Sequence, residues 1–271
     1  EKRFQYFENV TAQVVSNEST QLSIVLSEAQ RQSVLKFSSV GGINADGVGS
    51  ILDVSEKAYK DVALNDNAAS GGIPILEFND IVPPKLTYAY LNFSDGQLTV
   101  YGSEFIDTEN FPLNLSLFEI RNYSGSIGPY LSIEGSQQLA LQSIKQIVVL
   151  NELQRVQALK MSGKAGGDTS PTVLSVKAGA FADTSAVKNT LQYLKVTEFD
   201  DIVAPKLINA TIDLGFGILV LTYSEFMDNT PATMVQLDRI KISNILYDSY
   251  ILFQHNSVVL NTEDSPIVKI R

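Results

Sequence analysis

Residues 77–107 read EFNDIVPPKLTYAYLNFSDGQLTVYGSEFID, and residues 198–228 read EFDDIVAPKLINATIDLGFGILVLTYSEFMD. The two align without a gap at an offset of 121, and 15 of the 31 positions are identical, from Glu77/Glu198 through Pro84/Pro205 and Gly96/Gly217 to Asp107/Asp228. A second pair precedes them: LSEAQRQSVLKFS at 26–38 and LNELQRVQALKMS at 150–162, at an offset of 124, sharing Leu26/Leu150, Glu28/Glu152, Gln30/Gln154, Arg31/Arg155, Leu35/Leu159, Lys36/Lys160 and Ser38/Ser162. Self-similarity at a long fixed period marks a chain built from one repeated unit. A unit of 121 to 124 residues divides the chain into the rear of one unit (1–78), a complete unit (79–199) and the front of a third (200–271). Cut points inside the repeat suggest either a window on a longer chain or a protomer completed by its neighbours.

Within the unit, Ala89, Leu91 and Phe93 alternate with Tyr90 and Asn92, and Ala210, Ile212 and Leu214 repeat the pattern. Period two is the signature of a half-buried strand. Ser94-Asp95-Gly96 and Gly215-Phe216-Gly217 supply hairpin turns, and Leu98, Val100 and Leu219, Leu221, Tyr223 begin the returning strands. Leu113, Leu115 and Leu117 alternate in the same way, as do Ile240 and Ile242; further strands are expected near 21–26, 50–54, 146–150 and 173–176. One helix interrupts the strands of each unit. Ser27 with Gln30, and Asn151 with Gln154, form capping boxes, and Leu153, Val156 and Leu159 predict one apolar helix face. Lys36 and Lys160 fall at the helix ends, where a cation complements the dipole. Short strands, turn signals and a single short helix per unit read as an all-β fold of tandem immunoglobulin-like sandwiches with a helical crossover.

Composition narrows the chemistry. The chain has 271 residues, is 44% hydrophobic and 18% charged, and carries a formal charge of −10. That apolar mass belongs to a folded protein, and the negative surface disfavours nucleic acid as a partner. No apolar run reaches the length of a membrane span. With no Cys and a single His, His255, disulfides, thiolate metal sites and cysteine nucleophiles are excluded, and most acid-base machinery is disfavoured. His255 has no nucleophile elbow or triad context, and carboxylates that recur in every unit do not suit the single specialised cleft of a glycosidase. No enzymatic role is expected.

The recurring acids are Asp80, Glu104 and Asp107, matched by Asp201, Glu225 and Asp228. Convergence of their oxygens at a joint between units would suit Ca2+, a hard cation that takes six to eight oxygen ligands; the alternative is that they end strands and solvate turns. Sequons occur at Asn9, Asn17, Asn92, Asn114, Asn122 and Asn209, six of the 17 Asn. Strand alternation turns Asn92, Asn114 and Asn209 outward, as N-glycan acceptors require. Exposed Tyr88, Tyr90, Tyr101, Tyr123 and Tyr130 leave open a module that stacks on sugars.

The unit xDIVPPKLxxAxLNFxxGxLTVxxSEFID, followed by LNELQRVQALKMSG and VLSVKAGAFAD, resembles the tandem Ig-like repeats of large cell-surface and secreted proteins of heterokont algae and their relatives. It is distantly similar to bacterial adhesin repeats that open with an Asp-Pro-Pro linker. Ala204 departs from the double proline of that linker, standing where the first copy has Pro83, and Tyr223 stands where the first copy has Gly102. The resemblance implies an extracellular, glycosylated structural protein of surface filaments such as glycofibrils or mastigoneme-like hairs, with no catalytic residues. The expectation is a filament subunit that self-associates, open-ended because head-to-tail contacts need not close. Strand exchange between neighbours through edges such as Val10–Val15 or Ser257–Asn261 would join the copies; a cell-surface adhesin or carbohydrate-binding module is the alternative.

Overall fold

In the computed structural model, residues 11–14 (backbone only), 20–43, 45–122, 128–139, 143–244, 246, 249–253 and 257–271 are described. The described residues are β-rich, with strand at 39% against 11% helix. It opens with β1 (Thr11–Val14) and β2 (Leu22–Val25), an antiparallel pair, then α1 (Glu28–Leu35), β3 (Ile51–Val54) and β4 (Ser70–Pro74), the last two again antiparallel. Among the described residues, no apolar side chain between 20 and 78 is buried.

The middle of the chain is different. β5 (Leu86–Asn92), β6 (Gln97–Ile106), β7 (Phe118–Arg121), β8 (Tyr130–Ser132), β9 (Gln137–Gln138), β10 (Ser143–Val149), α2 (Glu152–Lys160), β11 (Val173–Val176) and β12 (Gln192–Phe199) follow in order. The eight strands make one ribbon, β8-β7-β11-β12-β5-β6-β10-β9. β12 pairs twice: Gln192–Lys195 run antiparallel to β11, and Val196–Phe199 run parallel to β5. The ribbon turns at that switch and closes around one core, in which Leu91, Leu98 and Val100 of β5 and β6 share a cluster with Phe118, Ile120, Leu174 and Val176 of β7 and β11. The alternation in β5 does what its sequence requires: Ala89, Leu91 and Phe93 are fully buried, and each large apolar group contributes about 1.5–3 kcal/mol. Gly96 takes φ 68° in the β5–β6 hairpin, and Gly217 takes the same angle in the corresponding turn, a left-handed backbone that suits a residue without Cβ.

Two expectations are corrected here. Leu115–Leu117 form a 3-10 turn rather than a strand, closed by the Leu117 N–H donating to Asn114 O at 3.0 Å; only the segment after it, β7, extends. The buried residues of α2 are Gln154, Arg155 and Ala158; of the expected apolar face Leu159 packs against the core, while Leu153 is 51% exposed. The helix turns its polar face inward because that face has partners, described below. Both capping boxes are present, with Ser27 and Asn151 as N-caps.

The C-terminal part contains β13 (Leu207–Asp213), β14 (Ile218–Met227), β15 (Lys241–Ser243), β16 (Tyr250–Leu252) and β17 (Ser265–Ile270). β13-β14-β17 form a three-stranded sheet around a small core of Leu219, Leu221, Val268 and Ile270, and β15 pairs with β16. Among the described residues β13 pairs only with β14, and every residue of it is exposed. Among the described residues no helix is long and apolar enough to cross a membrane.

Candidate functional site

The two motifs that repeat most specifically, LxExQR and SEF, touch. In α1 the Ser27 cap sets the first turn, so Glu28 and Arg31 lie one turn apart on one face. Arg31 donates Nε to Glu28 Oε2 at 2.7 Å and Nη2 to Glu28 Oε1 at 3.0 Å. Its remaining reach crosses to the turn before β5 and to β6, Nη1 to Asp80 Oδ2 at 2.7 Å and Nη2 to Glu104 Oε2 at 2.5 Å. The Phe105 N–H donates to Glu28 Oε1 at 3.0 Å.

The second copy repeats the contacts atom for atom. Arg155 donates Nε to Glu152 Oε2 at 2.7 Å, Nη1 to Asp201 Oδ2 at 2.5 Å and Nη2 to Glu225 Oε2 at 3.1 Å, while the Phe226 N–H donates to Glu152 Oε1 at 3.0 Å. Ser103 and Ser224, the serines of SEF, accept the Lys85 and Lys206 N–H at 3.0 and 2.9 Å. Asp80 and Asp201 also accept from Val82 and Val203, each at 3.0 Å, and so fix the turn ahead of Pro84 and Pro205. A guanidinium is planar, permanently charged and presents a fork of donors that a lysine lacks. It therefore clamps α1 onto the turn before β5 and onto β6, and α2 onto the turn before β13 and onto β14.

Four of the six carboxylates expected to hold a cation are thus held by arginine. Asp107 lies apart as a turn cap, fully buried, its Oδ1 accepting the Glu109 and Asn110 N–H at 3.1 Å each. Asp228 is exposed. Among the described residues, the carboxylates able to share one ion are Asp80, Glu104 and Asp183. Asp183 escaped the sequence reading; its signal was present in Asp61, 122 residues earlier. Asp183 Oδ1 accepts the Val187 N–H at 2.8 Å, and Asp61 Oδ1 accepts the Asn65 N–H at 2.8 Å in the same kind of turn.

The electrostatics of the first joint are unbalanced. Burial first, and then the neighbouring carboxylates of Asp183, Asp80 and Glu28, push the Glu104 carboxyl up to about 7, against the opposing pull of Arg31. Burial likewise raises Asp183. For Glu28 burial is outweighed by the hydrogen bonds from Arg31, Phe105 and Gln32, which hold it below the usual carboxylate range.

Compared with known protein families, curated proteins and solved structures, the chain has no significant match. The site is therefore read from its own geometry.

Of the sequons, Asn114 and Asn209 are exposed. Asn92 is half-buried and accepts the Ser94 N–H at 3.0 Å, and Asn122 donates to Asp168. Asn9 and Asn17 lie outside the described residues, as do Tyr123 and His255. Tyr88, Tyr90 and Tyr101 gather on the outer face of β5 and β6, with Tyr88 6.0 Å from Tyr90 and 6.3 Å from Tyr101 between ring centres, and Phe199 extends the row 5.6 Å from Tyr90. Tyr130 is exposed but carries the Arg121 guanidinium 4.9 Å over its ring. The edges expected to exchange strands pair within the chain instead: Thr11–Val14 with Leu22–Val25, and Val258 and Leu260 with Arg271 and Lys269. A strand next to a complementary one in its own hairpin pairs locally; β13, an edge of the three-stranded sheet, is exposed along its whole length.

Proposed function

We propose that the chain is a structural subunit of a glycosylated extracellular filament, made head to tail from immunoglobulin-like sandwich repeats of about 121 residues. One observation carries this reading: the open edge of β13 matches the exposed segment that follows β4. In the middle unit β5 is covered by Val196–Phe199, the end of β12. Its counterpart β13 lacks that cover, and Ile208, Ile212, Leu214 and Phe216 around it stand 48 to 85% exposed. The counterpart of Val196–Phe199 is Ile75–Phe78, at the same offset of 121. Those residues are also largely open, Leu76 at 79% and Phe78 at 82%. β3 and β4, which pair as β11 and β12 do, precede them. Residues 20–78 of one copy thus offer strands that fit the exposed edge of β13 in another, by the β-addition used in many assemblies. Repetition of a heterologous contact gives an open chain.

The arginine clamp supports the same reading, because a rod needs joints that do not swing. A Pro-bearing connection fixed on both sides by a four-way ion pair is stiffer than proline alone provides. The exposed Asn114 and Asn209 suit glycan attachment on such a surface. The test is light scattering of the purified chain across a concentration series, with negative-stain microscopy of the same samples. Concentration-dependent linear oligomers are expected; particles that stay monomeric at every concentration overturn the reading.

The row formed by Tyr88, Tyr90, Tyr101 and Phe199 favours a second reading, a carbohydrate-binding or adhesin module that stacks sugars on an aromatic face. Monomers that bind oligosaccharide, and lose it in Tyr88→Ala, would establish that reading in place of the filament.

A further inference from the structure

Around Arg31 the charges do not balance. Glu28, Asp80 and Glu104 share one guanidinium, and Asp183 adds a fourth carboxylate to the same pocket. Asp183 is fully buried, and its Oδ2 has no hydrogen-bond partner, while Oδ1 is held by the Ser185 and Val187 N–H groups at 2.8 Å each. A buried carboxylate oxygen without a donor costs several kcal/mol unless something else meets it. It is fixed in place: Asp183 bridges Ile106 at the end of β6, two residues from Glu104, and the Asp107 N–H donates to Ala182 O at 3.0 Å. One oxygen each from Asp80, Glu104 and Asp183 lie within 4.8 Å of one another.

We propose that Asp80, Glu104 and Asp183 bind one divalent cation, Ca2+ by its chemistry, beside Arg31 at the joint between the first and middle units. Oxygens about 2.3–2.6 Å from one Ca2+ span this separation, whereas Mg2+ requires about 2.0–2.1 Å and near-ideal octahedral geometry. The donor set is oxygen alone, which selects a hard cation over zinc or copper. With the cation in place, three positive charges face four carboxylates rather than one. Asp183 Oδ2 gains its partner, and the Glu104 carboxyl gains a second counter-charge beside Arg31. Water completes the coordination. The second joint has Arg155 with Glu152, Asp201 and Glu225, but among the described residues no counterpart of Asp183 joins them, so one ion per chain is expected.

The site is independent of the filament reading, because it is formed within a single chain. Isothermal titration of the whole chain with CaCl2 at pH 7.5, paired with thermal melting, tests it. Expected are one Ca2+ per chain with affinity of order 0.1–1 mM, as in extracellular modules, and a raised melting temperature. Asp183→Asn keeps the Oδ1 acceptor for Ser185 and Val187 and removes the charge, and Glu104→Gln removes a second ligand while keeping the side chain's length. Each should weaken Ca2+ binding by roughly tenfold or more, while Asp228→Asn, an exposed carboxylate outside the site, should leave it unchanged. Absence of both heat and melting shift in the native chain overturns the proposal. So does undiminished binding in whichever of the two ligand variants folds.

Discussion

Arg155 shows how much one side chain can hold. It is 8% exposed and binds Glu152, Asp201 and Glu225, and its Nη1 also donates to Phe93 O at 2.8 Å. Removing the partner of a buried ion pair leaves an uncompensated charge, a loss of about 3–5 kcal/mol. Arg155→Ala is therefore expected to lose stability in that range in urea denaturation, and Arg31→Ala distinctly less, because Arg31 is 29% exposed. Equal losses would show that exposure does not set the strength of the clamp. The Glu104 carboxyl, raised to about 7, gives a pH signature of opposite sign to that of an ordinary paired acid. A folded-state value above the unfolded one, 4.5, means that the folded chain binds more protons than the unfolded one between those limits. This group's stabilisation is complete below pH 4.5 and is lost as the pH rises through 7. In EDTA, the native chain should therefore lose stability relative to Glu104→Gln between pH 5 and 8; a constant difference across equilibrium melts would refute the shift. These contacts were only partly legible in the sequence. The letters of SEF and LxExQR stood out by repetition, but Arg31 meets Asp80 and Glu104 across 49 and 73 residues, and nothing local announces such a pairing. The sequence singled out the carboxylates as site residues but not Arg31, which meets two of them.

At the level of elements, local rules succeeded where local forces decide. The capping boxes at Ser27 and Asn151 were readable because a side chain three residues away closes them. The β5–β6 hairpin was readable because Gly96 and alternating apolar residues admit few other arrangements. The two failures share a cause. Leu113, Leu115 and Leu117 fit a strand pattern, yet Asn114 and Leu117 close a 3-10 turn, since three alternating leucines cannot distinguish an extended segment from a tight turn packed against the core. In α2 the apolar periodicity pointed to Leu153, but tertiary partners placed Gln154 and Arg155 inside. Gln154 closes the cap to Asn151 and also joins the helix to the loop after β8, donating Nε2 to Glu134 O at 2.7 Å and accepting the Ser136 hydroxyl at 2.8 Å. A lost N-cap costs about 0.5–2 kcal/mol. Asn151→Ala should fall in the upper half of that range, because freeing Gln154 loosens a helix that carries Arg155; chemical denaturation reads it, and a loss of a few tenths would mean that the cap and the clamp act separately.

Across the whole molecule, the same contacts occur at more than one place along the chain. Asn67 accepts the Tyr59 N–H and donates to Ser55 O and Ala68 O, and Asn189 accepts the Phe181 N–H and donates to Lys177 O and Thr190 O. Yet the first of these turns stands on a part whose apolar side chains are all at least partly open, and the second on a part with a full core. Identical local chemistry with unequal burial means that the turns form without the core, and that what residues 20–78 lack is a surface to cover. Val196 makes the point quantitatively: it is 2% exposed and pairs with Ala89, whereas its counterpart Ile75 is 42% exposed. If Ile75 takes the place of Val196 against β13 of another copy, a lysine there would carry an ammonium into the apolar seam opposite Ala210, where desolvation without a partner opposes docking. Ile75→Lys should abolish the concentration-dependent increase in mass seen by light scattering while leaving the melting of the middle unit unchanged, since Ile75 lies outside its core. Oligomers that persist in Ile75→Lys would show that the copies meet through another surface; a middle unit that melts earlier would show that residues 75–78 already serve the chain in which they reside.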